Sequence, residues 1–360
     1  MKVGLHIGQL LQPVPGGIGR YVVHVAQNLP AADVEVLNFG AGSPGKRVQA
    51  LIGDCVDLGW PRGPMRYELW HRLRRPRVRL PVDLVHAPSL AVPPTGDVPL
   101  AVTVHDVAFL REPAAFTRRG LDFHRRGLEL AHREAAVIIT ASRFARDELI
   151  GVGFDRTRIH LAPHGVALRT PEPDTLIETR VQRVGVQAPY VLAVGTVEPR
   201  KELDMLAKAF ALARVEIPNL TLAIVGPDGW LSVAGLDAPG IRRLGTVDEH
   251  TLDALYRRAL VCAVPSRYEG FGLPALEAMA RGCPVAASNA TSLPEVVGSA
   301  GLLLPVGEVD AWAEAIVDLA ANPERRAQLA TLGRERAAGF TWRGSAFAHA
   351  AAYAAAVDGP

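Results

Sequence analysis

Two glutamates eight positions apart, Glu269 and Glu277, stand in the string Ser266-Arg267-Tyr268-Glu269-Gly270-Phe271-Gly272-Leu273-Pro274-Ala275-Leu276-Glu277. Carboxylates so placed accept hydrogen bonds from sugar or ribose hydroxyls, and Gly270 and Gly272 let backbone N–H groups approach a ligand. Either glutamate alone reads equally well as a solvated turn residue or a first-turn helix acid. The whole string, in its context, favours the ligand. A second set, Gly195-Thr196-Val197-Glu198-Pro199-Arg200-Lys201, joins a glycine turn to adjacent basic residues, which suits a diphosphate. Its competing reading is an exposed basic pair beside a turn. His105-Asp106 closes an apolar run, where the histidine is either structural or a ligand contact and Asp106 either orients it or caps the loop. The glycines of Pro15-Gly16-Gly17-Ile18-Gly19 lack the third glycine of a dinucleotide fingerprint, because Val22 stands there. Turns at Gly226–Trp230 and Gly245–Val247 are weaker candidates, and Trp230 serves packing equally well.

These residues need elements to position them. Strands are expected at Val3–Ile7, Val34–Phe39, Asp83–His86, Leu100–Val104, Val137–Thr140 and Ile159–Ala162 in the first half. In the second half they fall at Tyr190–Val194, Leu220–Val225, Ile241–Leu244, Val261–Val264, Pro284–Ala287 and Gly301–Leu304. Such runs are apolar throughout and suit parallel strands covered on both faces. Their alternation with helical stretches predicts two doubly wound α/β domains, whose ligand sites lie at the carboxyl ends of the strands. Each motif above follows a strand candidate. Residues 1–168 form the first domain, 169–187 a linker marked by Pro171 and Pro173, and 188–340 the second domain. Residues 341–360 form a last helix expected to cross back to the first domain.

Composition narrows the class. The 360 residues are 49% apolar, 21% charged and 6% aromatic, a globular composition with ample core material. A net charge of +2 gives no argument for a nucleic-acid partner, yet it is a cancellation. Residues 1–168 hold 21 Lys+Arg against 15 Asp+Glu, and residues 169–360 hold 18 against 22. Three scattered cysteines argue against zinc or a disulfide framework and for a reducing cytoplasm. His6 and Gln9 break the first apolar run before it could act as an export signal, and no run reaches the roughly 18 apolar residues of a membrane span.

The string ending in Glu277 resembles the E-x7-E signature of the retaining GT-B-fold glycosyltransferases called group 1 or family 4. Gly282-Cys283-Pro284-Val285-Ala286-Ala287-Ser288 and Leu293-Pro294-Glu295-Val296 match the same pattern. The resemblance implies two facing Rossmann-like domains with an interdomain cleft, and transfer of a hexose from a nucleotide-diphosphate sugar, GDP- or UDP-linked, to an acceptor hydroxyl. The acceptor class is a glycan, a lipid-linked group or a natural product, and the donor half is the second domain. By resemblance Arg200 and Lys201 hold the diphosphate, although some relatives carry Arg where this chain has Thr196. Glu269 with Gly270, Phe271, Gly272 and Leu273 meets the donor sugar, Glu277 the ribose, and Gly195 and Val247 the nucleotide. Gly16 and Gly17 approach the donor phosphate or the acceptor, and His105 contacts the transferred sugar. No cofactor and no metal is expected, and the chain contains no Asp-x-Asp pair. An epimerase or phosphorylase of the same fold, and a non-catalytic two-domain sugar-binding protein, are the rival readings.

One further stretch stands apart. Residues 62–79 hold seven arginines, among them Arg66, Arg72, Arg74 and Arg75, around a Met65–Leu69–Leu73 repeat. The repeat predicts an amphipathic helix. It either packs on the first sheet with a solvated basic rim, lies on an anionic membrane, or offers its arginines to an anionic acceptor.

Overall fold

Val, Ile, Leu and Ala at consecutive positions have no polar face to leave in water, and the strands they form are covered on both sides. The computed structural model describes residues 1–12, 15–42, 44–170 and 172–359. Pro171, counted above in the linker, lies outside the described residues. The chain divides into two compact units, Met1–Gly165 with Thr341–Pro360, and Val166–Phe340.

The first unit carries β1 (Lys2–His6), β2 (Glu35–Gly40), β3 (Cys55–Asp57), β4 (Leu84–Ala87), β5 (Leu100–Thr103), β6 (Val137–Thr140) and β7 (Ile159–Leu161). They pair in parallel in the order β3-β2-β1-β4-β5-β6-β7. Val3, Leu5 and Ile7 pack against Val22 and Val25 of the helix Gly16–Asn28 and against Ala346, Ala352 and Tyr353 of the helix Trp342–Asp358. That last helix buries Trp342, Ser345, Ala346, His349, Ala352, Tyr353 and Ala356, the spacing of one helix face. Gly165 lets the chain run against its start, since a Cβ there would lie 2.0 Å from the Trp342 nitrogen.

The second unit carries β8 (Tyr190–Val194), β9 (Thr221–Val225), β10 (Ile241–Gly245), β11 (Val261–Val264), β12 (Val285–Ser288) and β13 (Leu302–Leu304). Their order is β10-β9-β8-β11-β12-β13, again parallel throughout. Val191, Leu222 and Ile224 pack on Leu206 and Phe210 from one helix and on Trp312 and Ile316 from another. In each sheet the chain winds outward from its first strand, then returns to its other side. The strand order therefore reverses between β1 and β4 and between β8 and β11, the places where open α/β sheets hold ligands.

Three expectations change. The second unit begins at Val166, and inside the expected 169–187 linker a helix, Asp174–Arg183, buries Ile177 and Val181. Pro173 stands at the start of that helix. The edge strand β3 was not expected, because its three residues are only partly buried or exposed and carry no apolar run. The basic helix spans Gly63–Leu73 and turns its expected core stripe outward: Met65 is 53% and Leu73 63% exposed, while Arg66 is 2% exposed. Arg66 is inside because its guanidinium donates to the carbonyls of Pro61 at 2.7 Å and of Leu58 and Gly59 at 3.0 Å. Arg74, in a left-handed turn at the helix end, donates to the carbonyls of Trp70, Val92 and Pro93 and pairs with Glu134. Arg66 and Arg74 are thus corrected from membrane or acceptor candidates to braces of the fold. Arg72 is exposed and pairs with Glu68, and Arg75 is exposed. No helix among the described residues is long and apolar enough to cross a membrane.

Candidate functional site

Gly195 follows β8 at φ +146° and Gly226 follows β9 at the same value. A Cβ on Gly226 would sit 1.9 Å from the Gly195 carbonyl oxygen, so only glycine allows the two loops to meet backbone on backbone. The loop after β8 then runs through the short turn Pro199–Lys201 into the helix Leu203–Glu216. The neighbouring strand β11 delivers Ser266 and Glu269, and the Arg267 nitrogen donates to the Arg200 carbonyl at 2.9 Å, which ties the two loops together.

Glu269 is the centre of this junction and is 7% exposed. Its Oε1 accepts from Lys201 Nζ at 2.5 Å and from the Ser266 hydroxyl at 2.8 Å, and its Oε2 lies 3.5 Å from an Arg200 nitrogen. Burial pushes the carboxyl upward, yet the Lys201 and Arg200 charges and the two hydrogen bonds together outweigh it and hold the group below the usual carboxylate range. The backbone is fixed as well: Glu269 N donates to Thr291 Oγ1 at 3.1 Å, and Ser292 Oγ donates to the Glu269 carbonyl at 2.8 Å. Arg200 also donates to the Tyr268 carbonyl at 2.9 Å and pairs with buried Glu198 at 2.6 Å. A shallow recess beside the cluster is lined by Gly195, Thr196, Lys201, Val264, Pro265 and Ser266.

Gly272 caps the helix Leu273–Ala280 in a left-handed conformation at φ +98°. Glu277 is buried one turn into that helix, where Oε2 accepts from the Tyr256 hydroxyl at 3.0 Å. The Phe271 ring stacks edge-on against Phe340 at 5.9 Å, so what it offers a ligand is its backbone. Leu273 and Val247 are partly exposed, and Trp230 is half exposed.

In the first unit His105 follows β5, and its Nε2–H donates to the Pro88 carbonyl at 2.9 Å. Burial lowers its pKa, opposed by that bond and by Asp106. Asp106 accepts from the Ala108 nitrogen at 2.9 Å, the loop-capping role. Gly16 and Gly17, expected in a loop, form the exposed first turn of the helix Gly16–Asn28, whose amides point along the helix axis at its start.

The structure thus brings Gly195, Arg200, Lys201 and Glu269 to the strand-order reversal of the second sheet. Glu198, Ser266, Thr291 and Ser292 complete that cluster and were not singled out by sequence. Ser266 and Glu198 stood inside motifs already quoted. Thr291 and Ser292 reach the site only through folding.

Residues 15–170 match the family model for "Glycosyltransferase Family 4" and residues 188–322 that for "Glycosyl transferases group 1". The D-inositol 3-phosphate glycosyltransferase of Kineococcus radiotolerans is 32% identical over 418 aligned residues, covering 99% of this chain and 95% of that protein. The O-antigen chain mannosyltransferase B of Escherichia coli is 36% identical over 220 residues, 58% of each chain. Among solved structures, Anabaena HepE in complex with UDP and glucose has a TM-score of 0.75 at 20% identity, covering 99% of this chain and 100% of its own. Sucrose-phosphate synthase from Thermosynechococcus elongatus has a TM-score of 0.76 at 23% identity, covering 98% of each. At these identities the two likenesses establish the fold.

Proposed function

Because the chain belongs to the group 1 glycosyltransferases, we propose that it transfers a hexose from a nucleotide-diphosphate sugar to an acceptor hydroxyl with retention at the anomeric carbon. The observation that carries this reading is the buried Glu269–Lys201–Arg200 cluster at the carboxyl ends of β8 and β11. A diphosphate accepted by Lys201 and Arg200 takes the place of the Glu269 carboxylate as their partner. The carboxylate oxygens are then released to the sugar hydroxyls, while charge developing on the leaving phosphate is met by two fixed cations. No metal is invoked, since the cations occupy its role. The leaving phosphate takes the acceptor proton on the face where the sugar departs. Glu277, held by Tyr256, is the ribose partner, and Gly195, Val247 and the Gly270–Leu273 backbone frame the nucleotide and sugar. The family resemblance gives His105 the transferred sugar and gives the Gly16–Gly17 amides an anionic group.

UDP, bound by HepE, and the nucleotide of a mannosyl donor are the two probes to try first. Inositol phosphate, the acceptor class named for one relative, heads the acceptor set. A membrane-borne acceptor is the other arm. Trp60 is 79% exposed, Met65 and Leu73 are exposed too, and so are Arg62, Arg72 and Arg75 in the same stretch of chain, which suits an anionic bilayer.

The test has two stages. A thermal-shift screen with UDP-glucose and GDP-mannose identifies the donor, since a ligand at a hundred times its Kd stabilises by about 2.7 kcal/mol. NMR of the product then reads the anomeric configuration. An α-linkage from the α-donor is expected, and a β-linkage sinks the retaining reading.

A further inference from the structure

Five side chains in the first unit form a hydrogen-bond chain with one consistent direction. His349 Nδ1 lies 2.7 Å from the Ser345 carbonyl, which can only accept, so Nδ1 carries the proton. Burial keeps that imidazole neutral near pH 7, which leaves Nε2 as an acceptor for the Tyr21 hydroxyl at 2.6 Å. With its own proton used there, Tyr21 accepts from the Thr103 hydroxyl at 2.8 Å. Thr103 in turn accepts from His86 Nε2–H at 2.8 Å, and the bare Nδ1 of His86 accepts from the Tyr353 hydroxyl at 2.8 Å. The chain starts and ends on the helix Trp342–Asp358, one turn apart, and crosses β5, β4 and the helix Gly16–Asn28 between. Buried chains of this kind hold each member in one rotamer and one tautomer.

What the chain holds is the ring of Tyr21. That ring meets the His105 imidazole edge-on, with centroids 4.9 Å apart at 89°, and it touches His164 at 5.0 Å. His105 is otherwise tied at Nε2 by the Pro88 carbonyl and flanked by the His164 ring at 5.6 Å, and Tyr21 closes the side it meets edge-on. We infer that Tyr21 is a positioning residue acting through His105, and that the helix Trp342–Asp358 is part of the device because His349 anchors the Tyr21 hydroxyl. The inference rests on the reading of His105 as the contact to the transferred sugar.

The experiment measures nucleoside diphosphate release from UDP-glucose and GDP-mannose by Tyr21→Phe, His105→Ala and the double variant. Tyr21→Phe keeps the ring and loses the hydroxyl. It is expected to lower kcat about tenfold with donor KM changed by less than about twofold, and to cost nothing further in the His105→Ala background. His349→Ala should match Tyr21→Phe, and His349→Gln, which keeps an acceptor for the hydroxyl, should recover most of the rate. Effects of Tyr21→Phe and His105→Ala that multiply overturn the inference. A slow His105→Ala beside a normal Tyr21→Phe removes the inference alone, whereas a normal His105→Ala removes the sugar contact and the inference with it. Nitrogen-15 NMR of the imidazoles needs no substrate: Tyr21→Phe should shift the His105 ring signals, and unchanged signals count against the positioning role.

Discussion

At the scale of single residues, the pairing of Glu269 with Lys201 sets up a competition that can be measured. In the proposed reaction the carboxylate and the incoming diphosphate both need the same ammonium, so part of the phosphate affinity is offset by breaking the 2.5 Å pair. Glu269→Gln removes the competitor. UDP or GDP should therefore bind more tightly to that variant while sugar transfer falls, by about a hundredfold or more if one transition-state contact of about 3 kcal/mol is lost. Lys201→Met should weaken nucleotide binding and transfer together. Calorimetry on both variants separates the cases, and weaker UDP and GDP binding by Glu269→Gln would count against the exchange. Glu269 and Lys201 were legible in the sequence because a glycine-rich string and a basic pair each sit after an apolar run. Their partnership was not legible, since 68 residues separate them and only the adjacency of β8 and β11 closes the gap. Arg66 and Arg74 were misread for the opposite reason. An arginine satisfied by backbone carbonyls looks, in sequence, like any other arginine in a basic run.

At the scale of elements, the helix Gly63–Leu73 has two faces that substitutions should tell apart. Arg72→Glu with Arg75→Glu, or Trp60→Ser with Leu73→Ser, alter exposed side chains. They should lower co-sedimentation with vesicles containing phosphatidylglycerol and leave the urea midpoint within error. Arg66→Ala should do the reverse: it strips donors from three carbonyls and uncovers the Trp70 ring beneath the guanidinium, and should cost roughly 2–4 kcal/mol in urea unfolding. Sedimentation that ignores the four exposed changes removes the membrane face from the proposal. The helix also shows where element-level reading stops. Twelve strands were expected, most of them from apolar runs, because central strands must be apolar on both faces; the edge strand β10, with exposed Arg242 and Arg243, was found without one. The edge strand β3 was invisible, since an edge needs no such run. The Met65–Leu69–Leu73 repeat found the helix but left open which face is buried; Trp70 and a carbonyl-bound Arg66 supply the inward surface.

At the scale of the whole molecule, the two units should respond differently to acid. His6 is held down to about 3, His71 and His349 to about 4, and His86 and His164 well below the ordinary value, in every case chiefly by burial. All five belong to the first unit. A neutral imidazole in the folded state takes up no proton as pH falls through the unfolded value near 6.5, whereas the unfolded chain does. The unfolded state then binds more protons, so stability falls as pH drops below about 6.5 and goes on falling until the folded values are reached. Each suppressed histidine contributes about 1.4 kcal/mol per pH unit in that window. Glu269 in the second unit acts lower: its contribution is lost only as pH falls below the ordinary carboxylate value, about 4.5, towards its own depressed one. Between roughly pH 7 and 5 the loss should therefore concentrate in the first unit. Hydrogen exchange read by mass spectrometry, corrected for the intrinsic chemical rate, can resolve this. Peptides covering β4 to β6 and the helix Trp342–Asp358 should lose protection while those covering β8 to β11 keep theirs. The helix should be among the first elements released, because two of its anchors, His349 and Tyr353, hold the sheet through imidazoles that must stay neutral. Equal loss across both units would contradict this, and would mean that carboxylates rather than buried imidazoles set the acid limit of the fold.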